Sequence, residues 1–189
     1  MKLAIRYSLF AIGISCVVLV VATVAFAKSS HHKSRNAVLT FDGSCEFAGT
    51  VTFTPPLTNS AQDVKQVVDA KGTCSGTLVD AARHSHELSD APVTYQSTAY
   101  AKGVSCGSGV NAGEGALGFE FGKLGFHFDE TRVTAFPLLR YTGQKGGSAM
   151  GTAMPAQDQD PAAALECAGD GMKQFKLQGR LQTTPAISG

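Results

Sequence analysis

Residues 44–54 read SCEFAGTVTFT, and their side chains alternate. Cys45, Phe47, Gly49, Val51 and Phe53 share one side of an extended chain; Glu46, Ala48, Thr50, Thr52 and Thr54 share the other. A repeat of two is what a strand with one buried face requires, and a helix cannot accommodate it. Pro55-Pro56 is expected to end the strand, because proline supplies no ladder donor. A polar loop through Asn59-Ser60 follows, and Lys65 to Leu78 resumes an extended pattern rich in Val and Thr. Folded as a hairpin about Asn59-Ser60, the two segments set Val51 opposite Val68 and Cys45 opposite Cys74. Facing positions on paired strands lie within disulfide reach.

The cysteine count fits that hairpin. Of five cysteines, Cys16 lies in an apolar N-terminal run, leaving Cys45, Cys74, Cys106 and Cys167. Four cysteines allow three pairings. The hairpin register favours Cys45–Cys74, and with it Cys106–Cys167. No Cys-x-x-Cys spacing is present, so a zinc site is not expected.

The remaining segments continue in the same style. Pro92 to Ala101, Gly115 to Phe121, Leu124 to Thr134, Leu138 to Tyr141, Ser148 to Met154 and Lys173 to Thr183 all read as extended. Phe119 and Phe121 are expected to share a face around a turn at Gly122-Lys123, as are Phe126 and Phe128. Residues 80–90, the Gly-rich 103–113 and 156–161 read as loops or turns, and Pro185 to Gly189 as a frayed tail. The expected class is all-β: an antiparallel sandwich or up-and-down barrel of about 7–8 short strands, stapled by disulfides, after an N-terminal signal helix.

The N-terminus sets the compartment. Lys2 and Arg6 precede an uncharged run from Tyr7 to Phe26, and Ala25-Phe26-Ala27 is a small-x-small cleavage pattern followed by polar Lys28. Residues 1–27 are expected to be a signal peptide cut between Ala27 and Lys28. An uncleaved membrane anchor is the alternative, since about 20 apolar residues span a bilayer. Residues 28–36 read as a flexible polar arm and 37–189 as a single domain. Cleavage removes Lys2 and Arg6, so the 16 basic residues become 14 against 15 acidic ones. That balance predicts no attraction to nucleic acid or to an anionic membrane face, and ties any membrane contact to the N-terminal segment.

Two glycine motifs invite functional readings that their surroundings oppose. Gly103-Val104-Ser105-Cys106-Gly107 matches the hydrolase elbow G-x-S-x-G, yet more glycine follows instead of a helix. Gly113 to Gly118 matches G-x-G-x-x-G, but it runs into a strand rather than a phosphate-binding helix. His84 and His86 sit in a loop-like segment with Arg83 between Asp80 and Glu87, His127 points away from Phe126 and Phe128, and Asp158 and Asp160 lack the remainder of a calcium loop. No metal ligand set and no cofactor are expected. The carboxylates Glu46, Glu114, Glu120 and Glu130 are scattered and suggest no acid–base couple.

The segments GSCEFAGTVTFTPPLT (43–58) and GTCSGTL (72–78) resemble those of uncharacterised exported four-cysteine β-proteins of actinobacterial type. The resemblance lies in structural cysteines and turns and carries over no site residue. The functional expectation is an exported, non-catalytic β-domain of the cell envelope or extracellular space. It is expected to bind a small apolar or amphipathic ligand in its interior, or to contact an envelope partner. The alternatives are a secreted serine hydrolase using Ser105 with His84, His86 or His127, and a membrane-anchored interaction protein.

Overall fold

The computed structural model describes residues 38–133 and 136–189. The expected signal, its cleavage pair Ala27 and Lys28, and the arm at 28–36 lie outside the described residues. Eight antiparallel strands follow one another around a closed barrel: β1 (Thr40–Leu57), β2 (Gln62–Val79), β3 (Ser85–Val104), β4 (Ser108–Phe119), β5 (Gly122–Val133), β6 (Phe136–Gly143), β7 (Gly146–Pro155) and β8 (Met172–Ser188). One short helix, α1 (Ala163–Glu166), interrupts the β7–β8 connection. Of the two architectures expected, the chain adopts the up-and-down barrel. β8 closes the ring by pairing with β1 from Thr40↔Ser188 to Leu57↔Met172.

The β1–β2 register sets Val51 opposite Val68 and Cys45 opposite Cys74. Cys45 and Cys74 are bonded to each other, as are Cys106 and Cys167. The alternation read from the sequence runs through the wall. Cys45, Phe47, Val51 and Phe53 are buried, while Glu46, Thr52 and Thr54 face outward. Apolar side chains therefore line the inside and polar ones the outside, opposite to the lipid-facing band of a membrane barrel. Among the described residues, no helix is long and apolar enough to cross a membrane.

Several boundaries differ from expectation, each for a physical reason. The strands are long, up to 20 residues in β3, rather than short. Pro55 and Pro56 do not end β1. The ladder to β2 stops at Thr54↔Lys65, and pairing with β8 skips from Thr52 to Leu57, so neither proline is asked for a donor. Residues 80–84 alone form the β2–β3 loop, and His86 lies on β3 opposite Leu78. The β4–β5 turn falls at Glu120 and Phe121 rather than at Gly122-Lys123. Phe119 and Phe121 consequently part company: Phe119 packs on Phe41, with ring centroids 5.4 Å apart, while Phe121 lies outside, stacked on His86 at 3.9 Å. The tail is not frayed. Ile187 is fully buried, and Leu39 and Gly189 exchange backbone hydrogen bonds of 2.9 and 3.0 Å.

The two ends of the barrel are built differently. At the end bearing the β2–β3, β4–β5 and β6–β7 turns, Leu39, Phe41, Leu78, Leu117, Leu124 and Ile187 are buried to within 2% and fill the lumen. The opposite end carries the β1–β2, β3–β4 and β7–β8 connections and the Cys106–Cys167 disulfide. There Cys106 N–H donates to the Thr58 carbonyl at 2.8 Å and Asn59 N–H to the Cys167 carbonyl at 3.1 Å, so the disulfide sits in a knot of three loops.

Candidate functional site

The loop-bearing half of the barrel is hollow. A cavity of about 310 Å³ occupies it, equal to roughly ten waters at ~30 Å³ each. Its lower wall is aromatic. Phe47, Tyr95, Phe128 and Tyr141 line it, with ring centroids 5.3 Å apart for Phe47–Tyr95 and 6.2 Å for Phe128–Tyr141. Val51, Val68, Leu139, Met172, Phe175 and Leu177 complete the apolar surround. The cavity reaches Asn59, Cys106, Gly107 and Cys167; Asn59 and Gly107 are exposed, so this end is its mouth.

One side of this apolar wall is polar, and β5 supplies its charges. Alternation places Phe126, Phe128, Glu130 and Arg132 on the inner face of one strand. Arg132 donates to Glu130 Oε1 from Nη2 at 2.7 Å and from Nε at 3.2 Å. Gln66 Nε2 from β2 and Asn111 Nδ2 from β4 each donate to Glu130 Oε2 at 3.1 Å. Arg132 Nη2 also donates to Gln66 Oε1 at 3.3 Å. The carboxylate thus accepts four hydrogen bonds, which offsets the cost of burying a side chain only 2% exposed. The Arg132 guanidinium lies 5.9 Å above the Phe53 ring.

Deeper in the lumen, the Tyr95 and Tyr141 hydroxyls meet at 3.4 Å. Burial raises the Tyr95 phenol above its ordinary value of 10.0 and the Tyr141 phenol well above it. Both stay neutral across the physiological range, so the cavity holds two phenols, the Glu130–Arg132 pair and, at its edge, a second guanidinium, Arg180, which is paired with the exposed Glu46 at 2.7 Å. A smaller void of about 10 Å³ lies on the other side of the cluster, behind Asn111 and Val104. The β3–β4 ladder ends at Ala99↔Gly113, so residues 100–104 and 108–112 flank this void without pairing to each other. Asn111 Oδ1 is buried there with no partner among the described residues.

The residues singled out by sequence lie elsewhere. Ser105 is in the β3–β4 turn, where its hydroxyl bonds Ser108, and no histidine among the described residues bonds it. His84 lies in the β2–β3 loop and His86 at the start of β3, both at the filled end, and His127 is on the outer face of β5. The hydrolase constellation is therefore not assembled. His84 Nδ1 and His86 Nε2 instead face Asp80 Oδ2 at 3.4 and 3.0 Å, and Asp80 Oδ1 accepts the amides of Ala82 and His84. The His86 hydrogen bond, aided by the His84 amide, holds the Asp80 carboxyl at about 2, against an ordinary 3.8. Asp158 pairs with Lys176 at 2.6 Å, and Asp160 caps the Ala162 amide at 2.8 Å. Gly113 and Gly115 lie inside β4, where a Cβ on either would overlap the backbone of β3; the motif serves close strand approach. Among the described residues, no group of three or more His, Cys, Asp and Glu side chains is placed to hold a metal.

The polar cluster escaped sequence reasoning. Its signal was the continuation of the Phe126, Phe128 alternation to Glu130 and Arg132, which assigns two charges to an inner face. Gln66, between inward Val64 and Val68, carried the same signal. No family model, no curated protein and no solved structure matches this chain.

Proposed function

We propose that this chain is an exported, non-catalytic barrel that binds a small amphipathic ligand in its lumen. The observation that carries the reading is the apolar cavity of about 310 Å³, furnished with a convergent polar cluster and open at one end. Its volume falls at the lower edge of ligand pockets, which range from about 300 to 1,000 Å³, and its lining has their composition. The two disulfides support an extracytoplasmic site of action, in keeping with the export reading of residues 1–27. The test is native mass spectrometry on protein recovered from its own envelope or culture medium. An added non-covalent mass that disappears on denaturation is expected. A bare mass, together with no uptake of any amphipathic probe, would return the barrel to the alternative role of an interaction module.

A further inference from the structure

We infer that the lumen selects a neutral ligand whose apolar body ends in a hydrogen-bond acceptor, such as a ketone or ester carbonyl, and that the Arg132 guanidinium is the group that reads it. The inference rests on the reading of the lumen as a ligand site and adds the ligand's chemical class.

The argument is a count of valences. Both oxygens of Glu130 are already accepting, two donors each, and Gln66 Oε1 accepts from Arg132 at 3.3 Å and from Asn111 at 3.5 Å. The one acceptor the cluster leaves unpartnered, Asn111 Oδ1, belongs to the smaller void, and Asn111 does not line the main cavity, so the cluster presents no spare acceptor there. Arg132 spends Nε and Nη2 on these partners, while Nη1 has no partner among the described residues, and the side chain lines the cavity. What the charged cluster still offers is a donor; the Tyr95 and Tyr141 hydroxyls, bonded to each other at 3.4 Å, are the uncharged polar groups beside it. A guanidinium carries five N–H groups and no acceptor, so an acceptor is what it can take up.

Charge decides which acceptor. Glu130 already compensates Arg132, and Arg180 at the cavity's edge is paired with Glu46 at 2.7 Å, so a ligand carboxylate at Arg132 would bring a second anion into contact distance of a carboxylate that is 2% exposed. Like charges in a desolvated site repel strongly. A cationic ligand would have to compete with Arg132 for Glu130. A carbonyl meets the spare donor and leaves the pair intact. The aromatic and aliphatic walls take the remaining apolar body.

Methyl decanoate, decanoate and decane test this when each is equilibrated by dialysis against the full exported protein with both disulfides formed, the bound amount being read by gas chromatography. The ester is expected to bind about tenfold more tightly than decane, as befits one hydrogen bond to a charged donor, and more tightly than decanoate. In the Glu130→Gln, Arg132→Met double variant, which removes both charges together, the ester should lose its advantage over decane. Equal binding of ester and decane by the native protein would overturn the acceptor assignment, and tightest binding of decanoate would overturn the neutrality argument. Both of those outcomes leave the cavity as a binding site. Failure of all three probes to bind would instead remove the ligand-site reading itself. If the double variant does not fold, the native protein's ranking of the three probes decides alone.

Discussion

Removing the Cys106–Cys167 bond should free the mouth of the barrel and leave the wall in place. The two cysteines are 61 residues apart, and the chain-entropy model converts that loop into about 4 kcal/mol of stability. The Cys45–Cys74 bond closes 29 residues and is worth about 3.5 kcal/mol by the same model. Nearly equal costs in global stability are therefore expected for Cys106→Ala with Cys167→Ala and for Cys45→Ala with Cys74→Ala. With a urea slope of about 2 kcal/mol per molar, each midpoint should fall by about 2 M. The local consequences should diverge. Cys45 and Cys74 face each other inside a ladder that continues from Thr40↔Val79 to Thr54↔Lys65, so the hairpin keeps its register without the bond. Cys106 and Cys167 join loops whose other ties are few, chiefly the Cys106 amide on Thr58 and the Asn59 amide on Cys167. Hydrogen exchange separates the cases. The amides of Asn59 and Cys106 should lose protection in the Cys106, Cys167 variant and keep it in the other, while β4–β5 ladder amides change only with global stability. Unchanged protection at Asn59 and Cys106 would refute the view that this bond holds the mouth together.

Arg132→Met alone strands Glu130 in the wall and should cost about 3–5 kcal/mol, read as a melting temperature lower by about 10 °C, whereas Glu130→Gln with Arg132→Met should lose far less; equal losses would show that the pair is not energetically coupled. Asp80 has a folded-state value near 2 against an ordinary 3.8, so its contribution is present above pH 3.8 and disappears as pH falls from there through 2; Asp80→Asn should flatten urea stability across that window, and an unchanged acid limb would refute the assignment. A Cβ at position 72 would overlap the Glu46 carbonyl oxygen across the β1–β2 ladder, so Gly72→Val should cost about 1–3 kcal/mol or prevent folding; native-like urea stability would contradict that packing.

Local alternation was legible wherever one face is uniformly apolar. SCEFAGTVTFT could be assigned a strand, an inner face and a partner register because each inward residue is apolar or small and the two cysteines mark the pairing. The same reasoning broke down at 55–56, where proline is harmless only because two neighbouring ladders happen to skip it. It broke down again at 185–189, which is ordered by β1 and β7, strands distant in sequence. The polar cluster shows the cost of judging residues one at a time. Glu130 alone looks like a surface carboxylate. It becomes an interior group only when Gln66 and Asn111 arrive from two other strands to hydrogen-bond it.

Whether the lumen is filled or hollow depends on volumes summed around the ring, which no single strand reveals. Eight strands enclose a space that side chains can just fill, or that can admit one small ligand. At the turn-bearing end, Leu39, Phe41, Leu78, Leu117, Leu124 and Ile187 point inward and the space is closed. In the hollow half, positions of the same inward kind are held by Ala70 beside Tyr95 and Gly179 beside Phe47, which leave space at mid-barrel, and nearer the mouth by Glu130 and Arg132, which bond each other along the wall instead of reaching across. Interiors normally pack to near-crystalline density, and a void strips its lining of dispersion partners. A chain that closes one end so completely has the side chains to close the other. The Ala and Gly positions, together with a buried ion pair that adds little net stability, leave the interior open, which is what the proposed binding of a ligand in the lumen requires.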